Sequence, residues 1–232
     1  MKTVMLLCGL LCDEVVWQSQ ADALRRDYDV RIMKFAEQDS LQAMAEHVLR
    51  HAPERFALAG HSMGGRVALE VLRRAAPRVE RLALLDTGFE PVAEGEAGRR
   101  AVLLNQALEQ GIEAIATVWG LPMLAPQHRE EVALVQAVRD MVGRMSGAIY
   151  QAQTRALLAR PDATSVLKGI ACPTLILCGM DDGWSPPERH RRMAELAPRA
   201  MLRLVPACGH MSMMEQPAAV LGALREWLAL PE

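Results

Sequence analysis

Residues 60–65 read Gly-His-Ser-Met-Gly-Gly, directly after the apolar run Phe56-Ala57-Leu58-Ala59. A G-x-S-x-G string between an extended run and a helical one requires a tight strand-to-helix turn with the serine at its apex. Side chains two residues before and two after would collide across that turn, so glycine stands at both places. Gly65 lets the next helix close onto the sheet. Ser62 then sits at a helix N-terminus, where developing negative charge is favoured. This turn restricts the chain to folds in which a strand feeds a helix lying on a sheet.

The rest of the sequence agrees. Short aliphatic runs at 3–7, 30–34, 55–59, 81–85, 174–178 and 201–205 predict six strands. Most are continuously apolar rather than alternating, as parallel strands covered on both faces are. Helical patterns separate them. Asp39 or Ser40 caps a helix reaching about Arg50, with Leu41, Met44, Ala45 and Val48 on one face. Gly64 opens a helix running to Arg74, Pro187 suits the first turn of one ending before Pro198, and a last helix runs from Pro217 to about Leu228. The alternation predicts an α/β fold, a mainly parallel sheet of about six strands with helices on both faces. From Thr87 to Gly169 the strand signal stops and helical patterns appear at 101–110, 130–145 and 147–160. Residues 1–88 and 169–232 are therefore expected to form the core, and 89–168 an inserted helical cap.

The chain has 232 residues, 51% of them apolar, which suits one domain with a large core. With a net charge of −2 and no basic block, nucleic acid and anionic membrane are not expected partners. The arginines of residues 189–192 are interrupted by His190 and predict a solvated helix face. Five cysteines fall in no disulfide or zinc spacing, so reduced thiols, a cytoplasmic location and no bound metal or cofactor are expected. The apolar run after Met1-Lys2 meets Asp13-Glu14 with no small-residue cleavage site, so it reads as a first strand and not as a leader. No stretch reaches membrane-span length.

A serine hydroxyl needs a base within hydrogen-bond reach. Of the six histidines, His47 and His51 fall on an early helix, His61 inside the turn, His128 in the cap and His190 in the arginine-rich helix. His210 ends Pro206-Ala207-Cys208-Gly209-His210, a loop beyond the last strand that can carry an imidazole over the strand ends. An acid must fix that imidazole. Asp182 is the leading candidate, in Gly179-Met180-Asp181-Asp182-Gly183-Trp184-Ser185-Pro186 after the fifth strand; Asp181 and Asp86 are alternatives. Two backbone N–H groups should meet an oxyanion, one from Met63 and one from Leu10 in the loop Cys8-Gly9-Leu10-Leu11.

The elbow, the acid loop and the segment Gly209-His210-Met211-Ser212-Met213-Met214-Glu215-Gln216-Pro217 together resemble the α/β-hydrolase superfamily over essentially the whole chain. The resemblance implies Ser62, Asp182 and His210 as a catalytic triad in the family's order, and a start at the family's third strand. Its oxyanion loop usually reads His-Gly-x with a Trp further on; here Cys8 replaces the histidine, while Gly9 and Trp17 keep their places. Ser62 in place of an aspartate argues against dehalogenases and epoxide hydrolases, and Met211 in place of Trp against the family's C–C hydrolases. The expected chemistry is that of a small carboxylesterase acting on carboxylic or thio-esters of small to medium substrates. Gly64-Gly65-Arg66-Val67-Ala68 also resembles the elbow of the menaquinone-pathway lyase that forms succinyl-hydroxycyclohexadiene-carboxylate, which implies Arg66 on a substrate carboxylate. A non-enzymatic ligand receptor on this scaffold is a third reading. Trp119, Met123, Leu124, Met145, Tyr150 and Trp184 are expected to line the pocket.

Overall fold

The computed structural model describes residues 1–231. Six strands, β1 (Thr3–Leu7), β2 (Asp29–Met33), β3 (Phe56–His61), β4 (Val79–Leu85), β5 (Thr174–Gly179) and β6 (Ala200–Val205), form one sheet in the order β2-β1-β3-β4-β5-β6. Every neighbouring pair is parallel. The continuous apolar runs have their expected cause: β1, β3 and β5 are buried at every position, whereas the edge strands β2 and β6 are largely half-exposed.

Parallel strands need crossovers, and right-handed ones fix which face each helix covers. Strand order runs one way from β1 to β2 and the other way thereafter. That puts α1 (Gln18–Leu24) on one face and α2 (Leu41–His51) and α3 (Met63–Ala75) on the other, where α2 and α3 pack together. Between β4 and β5 lie α4 (Glu96–Gln110), α5 (Glu113–Gly120), α6 (Val132–Gly143), α7 (Gly147–Leu158) and α8 (Thr164–Lys168), with no strand among them. The crossover helix α9 (Pro187–Leu196) follows β5; α10 (Ser212–Glu215) and α11 (Pro217–Ala229) close the chain, α11 returning to pack on α1. Trp17 and Trp227 are fully buried, their indole N–H groups bonded to the carbonyls of Leu7 (3.1 Å) and Pro173 (3.3 Å). Among the described residues no helix is long and apolar enough to cross a membrane.

Several elements differ from expectation. β4 begins at Val79, because Glu80 and Arg81 lie inside the strand, Arg81 almost wholly buried. α4 starts at Glu96 and not at 101, its first turn disguised by Gly98, Arg99 and Arg100. The helices α1, α5, α8 and α10 are four to eight residues long, too short to repeat a 3.6-residue period.

Candidate active site

The C-terminal ends of β3, β5 and β6 bring three distant residues to one edge of the sheet. Ser62, between β3 and α3, has φ 52° and ψ −114°, a conformation that L-residues avoid and that its surroundings must enforce. A Cβ on Gly60 would lie 2.3 Å from the Gly64 carbonyl oxygen, and one on Gly64 would lie 2.4 Å from that of Leu7. Only glycine permits both approaches. The Ser62 N–H donates to the Leu85 carbonyl (2.9 Å), and the Thr87 hydroxyl donates to the Ser62 carbonyl (2.6 Å), so β4 holds the turn from the side.

The Ser62 hydroxyl is 2.9 Å from Nε2 of His210, and Nδ1 of that ring is 2.8 Å from Oδ2 of Asp182. The carboxylate can only accept, which assigns the proton to Nδ1 and leaves Nε2 free to take one from the serine. The other carboxylate oxygen, Oδ1, accepts from the N–H groups of Trp184 (2.8 Å) and Ser185 (2.9 Å). Burial by itself would raise the Asp182 pKa, but His210 and these two N–H groups outweigh it and hold the carboxyl below its usual range. Burial likewise opposes charge on His210, yet Asp182, with Asp86 and Glu215 further off, raises its pKa above the ordinary value.

The alternative acids are placed elsewhere. Asp181 is exposed and accepts from the Gln127 side chain (3.0 Å). Asp86 is fully buried, bonded to the Gly179 N–H (3.0 Å) and the Ser212 hydroxyl. Desolvation and the neighbouring Asp182 charge push its pKa well up. Asp86, Cys178 and Asp182 bring possible metal-ligating atoms within 4.8 Å of one another. All three are already engaged in hydrogen bonds, and burial keeps the Cys178 thiol protonated. All five cysteines are free thiols.

His61 does not face the serine hydroxyl. Its Nε2–H donates to the His210 carbonyl (2.9 Å), and burial with the adjacent His210 lowers its pKa to about 3. His190 is also buried, its Nε2 accepting from the Thr87 N–H (3.0 Å), with burial lowering its pKa to about 4. His128 is buried against Glu215 (2.9 Å), while His51 is exposed on α2 and His47 half-buried.

A cavity of about 650 Å³ opens beside Ser62 and His210. Leu10 and Met63 line it together with Ser62, as do Trp119, Met123, Tyr150, Trp184 and Arg66. Leu124 and Met145, predicted to line it, do not. Leu124 is buried in the core, and Met145 is half-buried against it. The loop carrying Leu10 is tied by the Cys8 thiol to the Asp13 carbonyl (3.3 Å) and by the Leu11 N–H to the Gln153 side chain (2.9 Å), so Cys8 keeps a hydrogen-bonding role.

The cavity wall is basic. Six arginines line it, Arg66, Arg99, Arg100, Arg160, Arg189 and Arg192, against two glutamates, Glu90 and Glu96. Glu96 pairs with Arg100 (2.8 Å) and Arg160 (2.5 Å), and Glu90 with Arg189 (3.1 Å) and Arg192 (3.2 Å). The expectation that residues 189–192 form a solvated face holds for Arg191 and Arg192, which are both exposed, and is corrected for His190, which is buried, and for Arg189, which is half-buried. Arg189 and Arg192 stand at the cavity rim, where each pairs with Glu90. Arg66 is half-buried and forms its hydrogen bond with a main-chain oxygen, that of Glu90 (2.9 Å), rather than with a carboxylate. Burial and the nearby Arg160 and Arg189 lower its pKa to about 9, still charged at neutral pH.

A doubly covered parallel sheet with a strained serine at a strand-to-helix turn is the architecture of α/β hydrolases. The sequence comparison agrees over nearly the same span: residues 17–223 match the alpha/beta hydrolase family, and the chain belongs to it. Among solved structures, a thermophilic esterase from Thermogutta terrifontis, with malate bound, superposes with a TM-score of 0.87 at 28% identity, over 98% of this chain and 89% of that one. Among curated relatives, 2-succinyl-6-hydroxy-2,4-cyclohexadiene-1-carboxylate synthase of Serratia proteamaculans is 28% identical over 206 residues, 83% of this chain and 76% of the relative. The pimeloyl-(acyl-carrier protein) methyl ester esterase of Nitrosomonas europaea is 28% identical over 186 residues, 77% and 73% respectively.

Proposed function

We propose that the protein is a serine esterase that cleaves carboxylic or thio-esters through an acyl-enzyme on Ser62. The observation carrying this reading is the unbroken line from the Ser62 hydroxyl to His210 (2.9 Å) and on to Asp182 (2.8 Å). His210 takes the hydroxyl proton as Ser62 attacks the ester carbonyl, and Asp182 stabilises the imidazolium that forms. The N–H groups of Leu10 and Met63 receive the oxyanion; one such donor is worth about 3 kcal/mol of barrier. The imidazolium protonates the leaving alcohol, and water activated by the same ring then frees the acid. Residues 89–168 act as a cap over the pocket, and Trp119, Met123, Tyr150 and Trp184 hold the apolar part of the substrate.

Arg66 favours a second reading, in which the same machinery serves a lyase or an esterase whose substrate carries a carboxylate. The support is its position, four residues after the nucleophile, in a wall of cations, with its hydrogen bond made to the main-chain oxygen of Glu90 and not to a carboxylate. The relationship to the Serratia synthase points the same way. A fluorophosphonate probe and a panel of p-nitrophenyl esters, neutral and carboxylate-bearing, test these readings together. Labelling of Ser62 with turnover of neutral esters is expected. Absence of both would leave a ligand receptor, and turnover confined to carboxylate-bearing substrates would favour the second reading.

A further inference from the structure

Glu215 is buried in the short helix α10, and its two carboxylate oxygens point in two directions. Oε1 accepts from the N–H groups of Gly209 (3.0 Å) and Met211 (3.2 Å), the residues on either side of His210. Oε2 accepts from the Ala125 N–H (2.7 Å) and from Nδ1–H of His128 (2.9 Å), both in the inserted helical segment. The peptide of His210 is gripped from the same segment, its N–H donating to the Met123 carbonyl (2.7 Å), while its carbonyl accepts from His61 (2.9 Å). Gly209 makes this approach possible, since a Cβ there would lie 2.5 Å from the Ala125 nitrogen.

We propose that Glu215 is a positioning residue: one carboxylate fastens the His210 loop to the Met123–His128 stretch of the insertion, so that imidazole and cavity wall are held as a single unit. The proposal rests on the reading of His210 as general base. Four donors on one buried carboxylate make a rigid junction, because no donor can leave without stranding an acceptor away from water. The junction also carries charge. Asp182, Asp86 and Glu215 favour the imidazolium, while His61 and His190 are neutral neighbours of the ring. Across the junction Glu215 faces His128, which also lies 3.7 Å from Glu131.

Glu215→Gln tests this, since an amide of the same shape keeps one acceptor oxygen and sets an N–H₂ against donors on the other side. With p-nitrophenyl butyrate, kcat is expected to fall roughly 10- to 100-fold, the scale of a small misplacement of a catalytic group. KM should change less than about threefold. The acid limb of kcat/KM should move to lower pH, because removal of a negative charge makes the imidazole easier to deprotonate. A purely structural role would lower the melting temperature without moving that limb. His128→Ala, which removes one donor on the insertion side, should speed amide exchange at residues 209–211 and lower kcat by a smaller factor; it decides the matter if Glu215→Gln does not fold. A folded Glu215→Gln protein with kcat within twofold of the parent and an unmoved acid limb overturns the proposal, as does unchanged exchange in His128→Ala. Either result leaves the esterase reading standing if Ser62 still labels with fluorophosphonate; failure of the parent protein to label or turn over sinks that reading separately.

Discussion

The carboxyl of Asp86 shares a hydrogen bond with the hydroxyl of Ser212, two residues beyond His210, while the imidazole itself is bonded to Asp182. Two buried carboxyls thus stand close to one histidine with different partners. Asp182→Asn should lower kcat on p-nitrophenyl acetate by about a thousandfold or more, because an amide cannot favour the imidazolium. Asp86→Asn keeps a side chain able to bond both Gly179 and Ser212, and its loss should stay within about tenfold. The opposite ranking in steady-state kinetics would move the acid to Asp86.

Ser62→Ala should lose at least about a thousandfold of esterase activity and all fluorophosphonate labelling, with circular dichroism unchanged. Unaltered turnover in that variant would place the nucleophile elsewhere.

The environment of His210 sets a pH dependence. Its pKa is raised because Asp182, with Asp86 and Glu215, outweighs the effect of burial. In the proposed mechanism His210 acts as base only when neutral, so activity is expected to fall as the pH drops through that raised pKa. The acid-limb midpoint of kcat/KM is therefore expected above the ordinary histidine value of about 6.5. A midpoint well below it would show that the carboxylates do not act on the ring as described.

Arg66→Met should lower the preference for carboxylate-bearing over neutral p-nitrophenyl esters by about tenfold or more, the value of one charge-assisted hydrogen bond. Kinetics on matched ester pairs read this ratio directly. An equal loss on both would make Arg66 a support of the cavity wall and not a contact to substrate.

Gly64→Ala should destabilise the fold by about 1–3 kcal/mol or more, measured as a shift of the urea midpoint, since the added methyl meets the rigid backbone of β1. Gly222→Ala, where a Cβ meets nothing within 4 Å, is the control and should cost little.

Much of this was legible in the residues. Strands announce themselves as uninterrupted apolar runs, and the glycines around Ser62 mark a turn that only one backbone path can make. His210 and Asp182 follow from their places beyond strands β6 and β5. What could not be read is what depends on tertiary contact. Gln153 bonds Leu11 across 142 residues and Glu215 reaches Ala125 across 90, and neither partner leaves a local pattern. Leu124 and Met145 share the apolar character of their neighbours; only the direction of each side chain separates cavity wall from core. The arginines at 189 and 192 meet at the cavity rim because Glu90, about a hundred positions earlier, pairs with both.

One guanidinium has a wider consequence. Arg160, just after α7, bonds the main-chain oxygens of Glu90 (3.1 Å), Pro91 (3.1 Å) and Leu157 (2.9 Å), and both carboxylate oxygens of Glu96. It thereby knots the departure of the long β4–β5 excursion to its return. A detour cinched at its neck imposes little on the ladder of strands beneath, so the registry of the sheet does not depend on how far the chain travels between the two strands.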